Sequence, residues 1–155
     1  METSQITFAW ATDPNDLLDH LTDVATLIAQ LKEGTASETD PSHLPAFIER
    51  ACTHSHVRII RDGERLIGFA TLVPINKITG FQGHIEDVVV DAAYRGQGFG
   101  RILIEQLLEK AASLQMSSVS LTSDPSNPKR AAARELYAKL GFIERQGLFK
   151  YQIGT

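Results

Sequence analysis

One cysteine in 155 residues rules out an intramolecular disulfide, so the chain must stabilise itself by burial alone. That residue, Cys52, sits among apolar neighbours in LPAFIERAC, where a free thiol reads as a small core residue rather than a nucleophile. Positive charge is also short. Fifteen Lys and Arg face 19 Asp and Glu, a formal net charge of -4, which argues against nucleic acid as the main partner. No stretch approaches the roughly 18 apolar residues of a membrane span, and METSQITFAWATD has no basic region leading into an apolar one. The expectation is therefore a cytoplasmic protein with no membrane partner. His54 and His56, two apart, would share one face of a strand, but no third ligand lies nearby, so no metal is expected. The chain also lacks repeats and low-complexity tracts.

What is present is an ordinary globular composition, 43% hydrophobic and 22% charged. A chain of this length buries roughly 70% of its unfolded surface in a single core, and one domain is expected over 1–155. QITFAWA predicts a first strand. Asp13 then Pro14 make a helix start, and Leu17, Leu21, Val24, Ile28 and Leu31 recur at helical spacing until Gly34. A shorter helix is expected from Leu44, Phe47, Ile48 and Ala51, with its start left open by Pro45. VRIIRDGERLIGFATLV predicts two strands around a type I′ turn at Asp62–Gly63. INKITGFQ reads as a loop and GHIEDVVVD as the next strand. A long helix over about 98 to 115 and the strand SSVSLTS then give a crossover, hence a locally parallel pair. Asn127 and Pro128 open a last helix carrying Ala133, Leu136, Tyr137 and Leu140, and GFIERQGLFKYQI predicts two final strands around Gln146 and Gly147.

The costliest feature is DAAYRGQGFGRILIEQLLEKA, which spends Gly96, Gly98 and Gly100 at the mouth of a helix. The lysine of a Walker loop is missing after Gly100, where Arg101 and Ile102 stand. The third glycine of a dinucleotide fingerprint is missing at 101. What remains is Arg-x-x-Gly-x-Gly after a β-branched strand, a pattern in which bare backbone N–H groups and a helix N-terminus converge on an anion such as a pyrophosphate. A tight strand-to-helix turn is the alternative reading.

VVVDAAYRGQGFGRILIEQLLEKA resembles the acyl-CoA-binding motif of the GNAT superfamily of N-acetyltransferases, and SNPKRAAARELYAKLGF is similar to the segment that follows it there. The resemblance implies an α/β fold of the α+β kind: a mixed, mostly antiparallel sheet of six to seven strands, about four flanking helices, and strands splayed at the cofactor site. It also implies acetyl-CoA as co-substrate and transfer to a primary amine of a small metabolite by direct attack in a ternary complex. The alternatives are a protein N-terminus or lysine as acceptor, or a CoA-binding sensor without catalysis. Backbone groups of Val88, Val89 and Val90 are implied to hold the pantetheine arm, and N–H groups of Gln97, Gly98, Phe99, Gly100 and Arg101 the pyrophosphate, with Gly96 in the same cofactor-binding loop. Arg95 sets that loop, Arg101 lies toward the 3′-phosphate, and Asn127 toward the pantetheine or a water. A homodimer through the final strands stays open. GHIEDVVV also resembles glucosamine-6-phosphate N-acetyltransferases, whereas TSDPSNPKRAAARELYAKLGF is more similar to general bacterial members.

Acetyl transfer to an amine needs a proton acceptor before attack and a donor to the departing thiolate. The resemblance puts Tyr137 at the sulfur. Glu86 is the first candidate for the base because it precedes the cofactor-gripping segment, with His84, Asp87 and water as rivals. Alternation puts Glu86 and His84 on one face of the strand and Asp87 on the other, and a bulge would change that parity.

Overall fold

Alternating burial along ITFAW marks β1 (Ile6–Trp10) as a strand with one covered face in the computed structural model, which describes residues 5–32, 41–123, 126–145 and 151–152. The expected first helix is divided in two, α1 (Asn15–Leu18) and α2 (Leu21–Leu31). Asp13 does cap the start, its carboxylate accepting from the Asn15 N–H at 2.8 Å. The chain then leaves helical geometry at His20 (φ -126°). The break rotates the stripe: Leu17, Val24 and Leu27 are buried, whereas Leu21 is turned to solvent. Pro45 lies in the first turn of α3 (Leu44–His54), where its missing N–H has no intrahelical partner to lose. His54 closes that helix and His56 opens the next strand, so the two imidazoles do not share a strand face.

β2 (His56–Asp62), β3 (Arg65–Lys77) and β4 (Gly80–Val90) form an antiparallel meander. The β2–β3 turn is one residue later than expected, with Asp62 paired to Arg65 and Gly63–Glu64 between them. Only Gly63 of that pair has positive φ (58°), so the type I′ expectation, which needs two such residues, does not hold. The loop expected over INKITGFQ is also overturned, because β3 and β4 run through it and pair down to Lys77 and Gly80. α4 (Phe99–Ser113) then crosses over to β5 (Val119–Leu121), which lies parallel to β4, as the crossover predicts. The sheet order is β1-β2-β3-β4-β5.

Each face of the sheet is covered. Leu17, Val24, Leu27, Leu44 and Ile48 of the first three helices pack with Val57, Ile59, Phe69 and Val89. The opposite face, which includes Ile60, Ala70, Leu72 and Ile85, meets α4 through Leu103, Ile104 and Leu107, all without solvent exposure. Complete burial of a leucine-sized side chain contributes roughly 1.5–3 kcal/mol. Close packing is why Gly68 is glycine: a Cβ there would meet the backbone carbonyl oxygen of Val89 at 2.8 Å.

The chain divides into two compact units, Met1–Thr122 and Ser123–Thr155. In the second, a 3₁₀ turn (Pro128–Arg130) leads into α5 (Ala131–Lys139), ending before Gly141 at φ 98°. Five strands occur among the described residues, against the six to seven expected. Of the two final strands expected, residues 142–145 and 151–152 are irregular, and the turn at Gln146 and Gly147 falls outside the described residues.

Candidate active site

β4 carries the geometry of the site. Glu86 stands opposite Thr71, but Val89 stands opposite Phe69, so β4 advances by one residue more than β3. The extra residue is accommodated at Asp87, whose φ of 55° is left-handed, a region where Asp and Asn are the commonest non-glycine occupants. This bulge cancels one step of alternation. Glu86 shares the face of Thr71 by cross-strand pairing, and Asp87 joins Thr71 in the wall of a single cavity. Both carboxylates therefore serve one side of the sheet, where strict alternation separates them.

That cavity has a volume of about 250 Å3 and lies between the first three helices and the sheet. Leu17, Val24, Ile28, Leu44, Phe47 and Ile48 make most of its wall, and its polar members among the described residues are Lys32, Thr71 and Asp87. Asp87 keeps part of its surface in solvent, yet partial desolvation by the protein around its carboxyl and the like charge of Glu86 both raise it above the usual aspartate value, while Lys32 draws it back. A carboxylate disfavoured in its charged form and held in a strained backbone conformation is a marker of a working site.

Glu86 is half open to water and is held from behind by a histidine. His84 Nε2 lies 3.0 Å from Glu86 Oε1, and His84 Nδ1 lies 2.9 Å from Ser120 Oγ on β5. With Glu86 ionised, the imidazole donates from Nε2 and accepts the serine hydroxyl at Nδ1. The result is a hydrogen-bonded line from Ser120 through His84 to the carboxylate.

On the far side of β4, the ladder with β5 stops at Ile85 and Leu121. From Glu86 onward that edge has no strand partner among the described residues. The Asp91 N–H donates to Ile67 on β3 at 2.8 Å, so alternation turns Val89 toward β3 as well and aims Val88 and Val90 at the free edge. Of the three valines expected to grip a pantetheine arm, Val88 and Val90 lie with backbone toward the free edge, the Val90 carbonyl being engaged by Arg95, and the Val89 side chain is core.

The loop beyond is held by residues that sequence patterns do not reveal. Buried Asp91 caps the 3₁₀ turn Ala92–Tyr94 by accepting from the Ala93 N–H at 2.9 Å, and its other oxygen meets Gln30 Nε2 and Arg65 Nη2, each at 3.3 Å. Gln30 Oε1 in turn accepts from the Ala92 N–H at 2.9 Å. Tyr94 donates its hydroxyl to Asp62 at 2.6 Å, a bond that holds the phenol proton and raises its pKa. Arg95 donates from Nε to the Val90 carbonyl at 3.0 Å and from Nη2 toward Gln30, consistent with its expected part in setting the loop. Asp91, standing directly after a β-branched strand, is legible as a cap; the contribution of Gln30 depends on where α2 lands and has no local signal.

Gly98, at φ 84°, is the N-cap of α4, and no side chain caps that terminus. The first N–H groups of the helix are therefore open to an external acceptor. A Cβ built at Gly96, Gly98 or Gly100 meets nothing within 4 Å, so these glycines leave clear space beside bare backbone rather than relieve a clash. Arg101 is engaged by Glu105 at 2.8 Å on the surface, a pair of the kind that contributes only a few tenths of a kcal/mol and yields to a stronger anion. The free edge, the uncapped helix start and the cleared glycines together fit the arm and pyrophosphate of acetyl-CoA.

Tyr137 and Asn127 belong to the second unit. The Tyr137 ring packs edge-on against Phe142 at 5.9 Å, and burial raises its hydroxyl pKa, so the phenol keeps its proton. The Asn127 side chain accepts from the Lys129 N–H at 3.0 Å and so caps the 3₁₀ turn that precedes α5. Arg134 of α5 reaches Glu144 at 2.9 Å.

The site thus combines a mixed sheet with an open edge beside its crossover, an uncapped glycine-rich helix start and a cavity with Asp87 in its wall. The model of the GNAT family of acetyltransferases matches residues 17–142, and the chain belongs to that family. It is 35% identical over 125 residues to the N-alpha-acetyltransferase RimI of Mycobacterium tuberculosis, covering 80% of this chain and 72% of that protein. It is 34% identical over 131 residues to the glucosamine 6-phosphate N-acetyltransferase of Trypanosoma brucei brucei, covering 82% and 78%. A crystal structure of a Trypanosoma brucei acetyltransferase superposes with a TM-score of 0.70 at 26% identity, over 96% of this chain and 100% of that one. Against several other curated relatives the chain spans less than half of their length, 36% to 47%. No helix among the described residues is long and apolar enough to cross a membrane.

Proposed function

We propose that this chain is an acetyl-CoA-dependent N-acetyltransferase that acetylates the primary amine of a small molecule by direct attack in a ternary complex. The bulge in β4 carries the reading: it brings Asp87 into the wall of the cavity, beside Glu86 on the same side of the sheet, on the strand whose following residues leave a backbone edge free. Acetyl-CoA supplies the activated acyl thioester. Val88 and Val90 bind its arm, and the N–H groups at the start of α4 bind its pyrophosphate.

Asp87 holds the incoming ammonium, and Glu86, directly or through one water, accepts the proton that must leave before the nitrogen lone pair attacks. His84 and Ser120 orient Glu86, and its solvent-exposed carboxyl releases the accepted proton to water. Tyr137, protonated at neutral pH, donates to the departing thiolate. A small acceptor is favoured over a polypeptide because the cavity is a pocket of about 250 Å3 rather than an extended groove. The relatives act on both kinds of acceptor, as the names RimI and glucosamine 6-phosphate N-acetyltransferase indicate.

Calorimetric titration with acetyl-CoA, followed by release of CoA thiol on addition of primary amines, tests the proposal. Saturable binding with amine-dependent thiol release is expected. Binding without turnover of any amine would leave a CoA sensor.

A further inference from the structure

Resting on the reading of this chain as an N-acetyltransferase, we propose that its acceptor is a primary amine on a small apolar body, an aromatic ring or branched alkyl group joined by a short linker. The cavity is mostly apolar, its polar members among the described residues being Lys32 at the end of α2 and Thr71 and Asp87 on the sheet. Its helical walls are supplied by Leu17, Val24, Ile28, Leu44, Phe47 and Ile48, while Thr71 and Asp87 face it from the sheet. Phe47 borders the cavity yet leaves 46% of its surface in solvent, an apolar face with room for a further partner. Thr71, 7% exposed, brings the sheet's one hydroxyl among the described lining residues to the cavity wall.

A ligand satisfies these walls only if its charge and its apolar surface lie at opposite ends. The ammonium meets the Asp87 carboxylate, which the bulge has turned to the cavity, and the body displaces water from Phe47 and from half-buried Ile28 and Leu31. An apolar cavity of about 150 Å3 is filled by one benzene. The 250 Å3 here therefore takes a ring and a short arm. A sugar phosphate fits poorly, because its hydroxyls and dianion need several donors and the described lining offers Lys32 and Thr71 alone. A peptide terminus has backbone amides that this lining does not pair.

The test is a thiol-release assay on the full chain with acetyl-CoA and four acceptors: phenethylamine, 3-methylbutylamine, glucosamine 6-phosphate and a tetrapeptide with a free N-terminus. The two apolar amines are expected to exceed the other two in kcat/KM by about 100-fold, the scale on which a pocket discriminates by apolar contact. Phe47→Ala, at a half-open position that the fold tolerates, should raise KM for phenethylamine about tenfold with a smaller change in kcat and no change in acetyl-CoA affinity. Equal or better turnover of glucosamine 6-phosphate or the peptide overturns the apolar acceptor while the transferase reading stands. If no amine is turned over but phenethylamine still binds by calorimetry and Phe47→Ala weakens it, the cavity assignment stands and the transferase reading falls. Neither binding nor turnover overturns both.

Discussion

At the scale of single residues, Asp87 concentrates the tension between stability and function. Loss of hydration and the neighbouring Glu86 raise its carboxyl pKa, so the folded state binds its proton more tightly than the unfolded chain does. Its contribution to stability is then complete below the ordinary aspartate value and lost as pH rises through the raised one. Asp87→Asn keeps the left-handed backbone and removes the charge. Its Tm at neutral pH should equal or exceed that of the parent, with the difference vanishing in acid, while kcat/KM for an amine falls by about ten- to a hundredfold from loss of the counter-charge. Glu86→Gln is expected to lower kcat/KM by roughly two orders of magnitude near neutral pH, the lower end of what a general base contributes, with partial recovery at high pH where free amine is abundant. An unchanged profile for Glu86→Gln beside a collapsed one for His84→Gln would move the base to the imidazole. Tyr137→Phe should lower turnover by about one to three orders of magnitude with little effect on acetyl-CoA affinity. Equal losses in both would assign the ring to packing alone.

At the scale of elements, the start of α4 separates two roles that glycine plays. Gly98 needs its φ of 84°, so a β-branched residue there strains the turn even though no atom lies near the added Cβ. Gly100 is inside the helix at ordinary φ with the same open space. Gly100→Val is therefore the clean probe: a folded helix at nearly unchanged Tm and an acetyl-CoA Kd weakened by at least about tenfold, read by calorimetry, because branched carbon fills the approach to the bare N–H groups. Gly98→Val should lose both Tm and binding. Full affinity in Gly100→Val would reduce the motif to a tight strand-to-helix turn. The β4 bulge is the other decisive element. Periodicity finds the strand, but a one-residue excess over β3 is a relation between two strands and leaves no mark in either sequence alone.

At the scale of the whole molecule, stability rests on two apolar layers pressed against one sheet. Leu107→Ala, at a fully buried contact of α4, should cost about 2–5 kcal/mol in denaturant unfolding, and roughly 2–4 °C of Tm for each kcal/mol. A loss below about 1 kcal/mol would mean that α4 is not docked as described. The sequence by itself determined the order of elements, because the 3.6-residue and two-residue hydrophobic periods and the proline and asparagine starts are local chemistry. It also determined the glycine loop, whose costs only a ligand or a turn explains. It misplaced the break between α1 and α2, the phase of the β2–β3 turn and the loop inside the β3–β4 hairpin, where pairing with a neighbouring strand overrides local preference. Tertiary structure alone decided that Glu86 and Asp87 serve one side of the sheet, that Gln30 braces the loop 61 residues away, and that the cavity is mostly apolar. Each of these depends on which side chains face one another across the sheet, and that facing is set by register and docking, which no single segment encodes.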